Sequence, residues 1–142
     1  MRAELRSALN HAVRDELDAA LSRIAHCTHQ LTDEQVWWRP PHGMNAIGNL
    51  ILHLTGNVRQ VIASNLTGAP DTRDRPAEFA ARAVMPKAEI MRALTNAVEA
   101  AKSGLDRATD EQLATGSRVN NFDWTGIQAV IRSVAHFRGH TQ

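Results

Sequence analysis

Two histidines near the end of the sequence have the spacing of metal ligands. His136 and His140 lie four positions apart in the segment AHFRGHTQ, residues 135–142. Residues four apart on an α-helix leave the same face, so both imidazoles would point in one direction. Neutral imidazole is a common ligand of divalent transition metals. The pair therefore predicts part of a metal site, although the same spacing also arises on helix surfaces that bind no ion.

His53 is the third candidate ligand. In a helical projection it lies beside the apolar stripe of its helix rather than within it. It shares this polar strip with three carboxamide side chains, Asn49, Asn57 and Gln60. Carboxamides in such positions could orient an imidazole or a substrate.

The last helix carries two small residues, Ala129 and Ser133, on the same face as its histidines. Small residues let a neighbouring helix approach closely or leave a pocket open. Three neutral imidazoles from two helices would hold Zn²⁺ or Ni²⁺ and leave a position for water or substrate, which is the pattern of catalytic sites. The predicted site consists of the metal ligands His53, His136 and His140 and the possible pocket residues Asn49, Asn57, Gln60 and Ser133.

Amphipathic helices would position these residues. Apolar residues recur at helical spacing, and no strand pattern is visible. The predicted long helices cover residues 3–30, 45–66, 86–105 and 126–142. We therefore predict an all-α fold, a four-helix bundle in which residues 1–142 form a single domain. A ferritin-like di-iron site is excluded, because no Glu is followed by a His three positions later.

Capping signals indicate where several helices begin. Two TDEQ segments predict capping boxes, one pairing Thr32 with Gln35 and the other pairing Thr109 with Gln112. Asn45 is the expected N-cap of the second long helix.

Other expectations concern the connections and the core. Residues 68–79 are predicted to form a long connection, and a polar loop is expected before the segment FDWTGIQ, residues 122–128. In the last helix, Val130, Ile131 and Val134 are expected to face the core.

Composition narrows the functional classes. Sixteen basic and fifteen acidic residues give a net charge of +1, and no basic stripe indicates a nucleic-acid surface. No apolar run is long enough to cross a membrane and no signal sequence is visible, so we expect a cytoplasmic protein. The single cysteine, Cys27, cannot form an intramolecular disulfide, and its helical angle predicts a buried thiol.

Three segments resemble one family. NAIGNLILHLTGNVRQ (45–60), RPAEF (75–79) and AHFRGHTQ (135–142) are similar, in this order, to segments of the DinB-like (YfiT-like) superfamily, in particular a branch of bacterial proteins. The resemblance implies a four-helix bundle of the DinB-like type with a divalent metal on three histidines, which match His53, His136 and His140. It also favours a homodimer.

The resemblance suggests several functions. Some DinB-like proteins are transferases or isomerases that use low-molecular-weight thiols, so we expect a metal-dependent enzyme that acts on small molecules, thiol S-transferase-like, with a metal-activated thiol. The same ion could instead activate water for hydrolysis. A non-catalytic metal-binding or stress-response bundle is a further alternative. So is an interaction module whose partner surface is marked by Trp37, Trp38 and Trp124.

One departure from the family concerns the last ligand. Family members usually continue well past this point, whereas Gln142 follows His140 by only two positions. Because terminal helical turns fray, we expect His140 to be weakly held and the metal site to be partly occupied or empty.

Overall fold

The computed structural model describes residues 2–83 and 85–142. The helices follow in this order: α1 (Arg2–His29), α2 (Asp33–Trp37), α3 (Ile47–Val58), α4 (Asn65–Thr67), α5 (Arg75–Ala80), α6 (Lys87–Arg107), α7 (Asp110–Ala114) and α8 (Gly126–Thr141). A π-helical segment, Arg59–Ser64, joins α3 to α4, and two strands, β1 (Gly116–Val119) and β2 (Phe122–Thr125), precede α8.

Four long helical segments form the bundle: α1, the continuous run from α3 through the π-helical segment to α4, α6 and α8. Their apolar stripes meet in one main core. Its largest fully buried side chains include Leu17, Leu54, Ile62, Ile90, Leu94, Leu105 and Phe137. The predicted all-α bundle is confirmed, with a small β-hairpin added to it. In the described part of the chain, no helix combines the length and apolarity that crossing a membrane requires.

Both predicted capping boxes are present. The side chain of Thr32 accepts a hydrogen bond from the Gln35 backbone, and Thr109 does the same for Gln112. The expected N-cap of α3 is wrong by one position, because Ala46 occupies it. The Asn49 side-chain oxygen lies 3.2 Å from the backbone nitrogen of Ala46, so this carboxamide accepts the bond that closes the start of the helix.

Two segments predicted to be irregular are regular. Within residues 68–79, Asp74 caps the short helix α5 by accepting a hydrogen bond from the backbone of Ala77 at 3.0 Å. The expected loop before α8 contains β1, which pairs with β2 in an antiparallel hairpin. Asn120, in the turn, has a φ of 55°, a left-handed value that asparagine tolerates better than most residues. Elements of four to six residues are too short for a periodic apolar pattern, which is why the sequence did not reveal them.

Two burial predictions are wrong. Cys27 is exposed, because the inward stripe of α1 passes through Thr28, which is 3% exposed. In α8, Val130 is buried as expected and Val134 is partly buried, but Ile131 is 54% exposed. The buried side of α8 is therefore turned toward Ser133 and away from Ile131.

Candidate metal centre

Three histidines from two helices converge at one side of the bundle. His53 comes from α3, and His136 and His140 come from consecutive turns of α8. One ligand nitrogen from each lies within 4.8 Å of the others, so the group could hold a metal ion. The Nε2 atoms of His53 and His136 are 2.9 Å apart. His53 is buried, His136 is half-buried and His140 is exposed, so the cluster faces solvent on the side of the last turn.

The small residues predicted on one face of α8 explain how closely this helix approaches α3. Ala129 is fully buried and Ser133 is 1% exposed, both on turns before His136. The Ser133 hydroxyl donates a hydrogen bond to the Asn57 side-chain oxygen at 2.8 Å. This contact ties α8 to α3 one turn away from His53.

A buried carboxylate orients the imidazole of His53. Its Nδ1 atom lies 2.9 Å from the Oε2 atom of Glu78, on α5. Burial favours the neutral acid, but hydrogen bonds from His53 and Arg73 outweigh it and lower the pKa of Glu78 below its usual value. Nδ1 also lies 3.2 Å from the Nη2 atom of Arg73, but the carboxylate is closer and only accepts hydrogen bonds, so we assign the proton to Nδ1. The lone pair of His53 is then on Nε2, which lies 2.9 Å from His136 Nε2 and would turn to a metal when one is bound.

Arg73 holds the carboxylate in place from the other side. Its Nε atom donates to Glu78 Oε1 at 2.7 Å and its Nη2 atom to Oε2 at 3.1 Å, a two-point contact that fixes the carboxylate plane. Its Nη1 atom donates to the Gln60 side-chain oxygen at 3.0 Å, and Gln60 in turn donates to Asp71 at 2.7 Å. Because Gln60 lies in the π-helical segment, this irregular turn contributes directly to the support of the site.

Gly56 leaves the space that Glu78 occupies. A Cβ atom built at this position would lie 2.0 Å from Glu78 Oε1 and 3.0 Å from Arg73 Nε. Any larger residue would therefore displace the carboxylate.

Asn49 anchors the segment that carries Glu78. The side chain is fully buried, and its Nδ2 atom donates to the backbone oxygens of Glu78 at 2.9 Å and Ala81 at 3.0 Å. Its Oδ1 atom accepts a hydrogen bond from Arg39 at 2.8 Å. Asn49 thus supports the site from a distance and is not aimed at the histidines.

The surroundings favour neutral imidazoles. Burial lowers the pKa of His136 from 6.5 to about 4, and the nearby charges of His53, His140 and Arg73 act in the same direction. Burial and His53 also lower the pKa of His140. The Nδ1 atom of His136 is buried and has no hydrogen-bond partner in the described residues. Unprotonated nitrogens with incomplete partners are the donor set that a divalent transition metal requires, so these residues fit such an ion.

A cavity of about 220 Å³ opens beside the cluster. Two of the predicted pocket residues, Asn57 and Ser133, line it together with His53 and His136, whereas Asn49 and Gln60 lie outside it. The β-hairpin forms the opposite wall through Phe122, Trp124 and Asn120.

Comparison with known proteins agrees with this architecture. The family described as "Protein of unknown function (DUF1572)" matches residues 6–142. The chain belongs to the DUF1572 family. Among curated proteins, no significant match is found.

One solved structure similar to this DUF1572 protein is that of a conserved protein from Enterococcus faecalis. It has a TM-score of 0.74 and 19% sequence identity to this chain. The alignment covers 92% of this chain and 89% of that one, which supports the fold.

Sequence reasoning missed two residues that shape the site of this DUF1572 protein. Arg73 and Glu78 lie in the segment that was predicted to be a connection. The segment RPAEF, which contains Glu78, was noted only because it resembles a segment of the DinB-like superfamily. A charged residue in a loop-like segment gives no sign of burial, because its partner His53 lies 25 positions earlier in the chain.

Proposed function

We propose that this protein is a metal-dependent enzyme of the DinB-like superfamily, with a single Zn²⁺ or Ni²⁺ ion on His53, His136 and His140. In this proposal it acts on small molecules and transfers a low-molecular-weight thiol. The observation that carries the proposal is the convergence of three imidazoles, with ligand nitrogens within 4.8 Å of one another, at the edge of a cavity.

The donor set favours a catalytic ion over a structural one. Structural zinc sites are usually closed by four protein ligands, whereas catalytic sites combine three with an open position. In the described residues the candidate group has three members. The ion on uncharged ligands would lower the pKa of a thiol or a water molecule in the open position.

The protein residues have separate tasks in this proposal. Glu78 keeps the proton of His53 on Nδ1, and Arg73 keeps Glu78 ionised. Asn57 and Ser133 present polar atoms to the cavity, where the rest of the thiol and its acceptor would bind. In the proposed reaction the thiol would release its proton to water and its sulfur would bond to an electrophilic carbon of the acceptor. The bond from that carbon to the leaving group would break, and the leaving group would keep the electron pair.

Metal analysis and thiol titration test this function. We expect elemental analysis of the purified protein to find up to one Zn²⁺ or Ni²⁺ per chain, and reconstitution to complete the site. His136→Ala should abolish binding, whereas His11→Ala, a matched change at an exposed histidine of α1, should retain it. A His136→Ala protein that still binds a full equivalent would refute the ligand assignment.

Cobalt-loaded protein distinguishes the reactions. If a thiol occupies the open position, 2-mercaptoethanol should produce a thiolate-to-cobalt charge-transfer band in the near ultraviolet. Absence of this band with cobalt still bound would rule out thiol transfer and would leave water activation or a non-catalytic ion.

A further inference from the structure

The cavity beside the histidines has an unbalanced positive charge. Three arginines line it, Arg73, Arg75 and Arg132, and no carboxylate of the described residues does. Arg73 is already paired with Glu78. For Arg75 and Arg132, the described residues provide neither a salt-bridge partner nor a hydrogen-bond acceptor. Both arginines are exposed, so water solvates their guanidinium groups and no carboxylate of the described residues pairs with them.

Aromatic rings hold both of these arginines in position. The Arg132 guanidinium lies over the ring of Trp124 at 5.1 Å, and the Arg75 guanidinium lies over the ring of Phe79 at 5.2 Å. Trp124 is itself stacked on Phe122, with ring centroids 4.8 Å apart and planes 4° from parallel. A guanidinium that contacts an aromatic face keeps its N–H edge free for an anion.

The size and chemistry of the cavity limit what can bind. A guanidinium matches a carboxylate with two parallel hydrogen bonds. The volume of about 220 Å³ is below the range of about 300–1,000 Å³ that is typical for drug-sized ligands. A short organic acid has the required charge and size, and Asn57 and Asn120 offer amide groups to the rest of it.

We propose that Arg75 and Arg132 form a subsite for the carboxylate of a small organic acid, placed next to the three histidines. This inference rests on the proposed function for its role, since it assigns a substrate class to that site: the thiol or its acceptor carries a carboxylate. Binding of the anion itself does not require the metal.

The first experiment uses metal-free protein. Succinate, its uncharged dimethyl ester and inorganic phosphate are titrated separately, and binding is followed by calorimetry and by amide NMR shifts of residues 120–133. We expect succinate to bind and the ester not to bind. The Arg75→Gln/Arg132→Gln variant should bind succinate at least about tenfold more weakly, because charge-assisted hydrogen bonds are lost. The control Arg23→Gln/Arg92→Gln removes the same charge from exposed arginines outside the cavity and should bind as the wild type does.

A second experiment identifies which reactant carries the carboxylate. Cobalt-loaded protein is titrated with 3-mercaptopropionate and with 2-mercaptoethanol. Tighter binding of 3-mercaptopropionate that disappears in Arg75→Gln/Arg132→Gln would support the subsite and place the carboxylate on the thiol. Equal binding of the two thiols, with succinate binding intact, would support the subsite and place the carboxylate on the acceptor.

Clear outcomes would overturn the subsite. These are no succinate binding by the wild type, unchanged binding by the double variant, or tighter binding of phosphate than of succinate. Zinc binding, measured after reconstitution of separate aliquots of the same preparations, separates the two proposals. Protein that binds succinate but no metal would refute the proposed function alone, and protein that binds metal but no succinate would refute the subsite alone.

Discussion

The Nδ1 atom of His53 and the Oε2 atom of Glu78 are 2.9 Å apart, and both side chains are less than 10% exposed. The contact joins α3 to α5 across 25 positions of sequence. It fixes both the tautomer of His53 and the direction of its ring, which are the two properties that a metal ligand needs from its surroundings.

Glu78→Gln should weaken metal binding without removing a ligand. Loss of a carboxylate behind a histidine ligand typically reduces metal affinity about 10–100-fold. The change also leaves the buried charge of Arg73 without its partner, so the free energy of unfolding should fall by about 3–5 kcal/mol. Zinc affinity is measured by competition with a chelating dye, and stability by urea denaturation.

Glu99→Gln is the matched control, because Glu99 is 62% exposed and its partner, the buried Lys102, is also paired with Asp18. Its effect on stability should be within about 1 kcal/mol, and zinc affinity should not change. If Glu78→Gln folds and binds zinc as tightly as the wild type, the orienting role of Glu78 is wrong.

Gly56→Ala should disturb the same carboxylate by steric contact. The added methyl group would lie 2.0 Å from Glu78 Oε1, so Glu78 has to move. We expect a loss of about 1–3 kcal/mol in the free energy of unfolding, as for other overpacked sites, together with weaker zinc binding. Thermal and urea unfolding measure the first effect and dye competition the second.

Gly139→Ala provides the comparison for a helical glycine with open space. Apart from the adjacent residues and the backbone of α8 itself, no heavy atom of the described residues lies within 4 Å of the added methyl group, so this variant should gain about 0.5–1 kcal/mol from helix propensity. Equal stability of the Gly56→Ala and Gly139→Ala proteins would contradict the steric argument.

The stability of the metal-free protein should decrease in mild acid. The pKa of His136 is lowered from 6.5 to about 4 in the folded state. Between these two values the unfolded chain binds a proton at this residue that the folded chain does not, so the free energy of unfolding falls as the pH falls through this window. Urea denaturation in the presence of a chelator measures the effect.

His136→Asn isolates this contribution, since all other titrating groups are retained. The free energy of unfolding of this variant should decrease less than that of the wild type over the same pH window. Parallel pH profiles for the two proteins would show that His136 titrates alike in the folded and unfolded states.

We expect a homodimer in solution. A groove of about 500 Å³ is lined by the apolar side chains of Leu5, Leu9, Leu113 and Ile127 and by charged residues of α1 and α7, and Leu5 is 66% exposed. Light scattering at roughly tens of micromolar should give twice the chain mass of 15.6 kDa. Leu5→Glu should yield monomers, whereas Met44→Glu, at an exposed loop position outside the groove, should not. A wild-type mass near that of one chain would refute the expectation.

The sequence predicted the parts of the fold that local rules control. The long helices follow from apolar periodicity, and the two TDEQ capping boxes follow from side chains three positions apart. A third capping box, Thr125 with Gln128, begins α8 and has the same signal, although it was not recognised. The convergence of the three histidines was also predictable from the four-residue spacing of His136 and His140 and from the resemblance to the DinB-like superfamily, although the inward face predicted for α8 was partly wrong.

The remaining parts depend on contacts between distant segments. Arg73 and Glu78 are buried only because α5 docks on α3 where Gly56 leaves room, and no short pattern encodes that docking. The position of Cys27 shows a related limit. A helical projection gives only the directions of residues relative to one another. Near the end of α1 the inward direction is displaced by one residue from the projected one, so Thr28 points inward and Cys27 is exposed.

The anchor formed by Asn49 has a consequence for local unfolding. Its bonds to the backbone oxygens of Glu78 and Ala81 hold the segment that supplies Glu78 against α3. Opening of this segment would break those bonds and remove Glu78 from His53, while the long helices of the bundle stay folded. His53 would then change from a fixed ligand to a rotating one. The affinity of the centre for an ion would accordingly depend on a local opening equilibrium that is distinct from the global unfolding of the bundle.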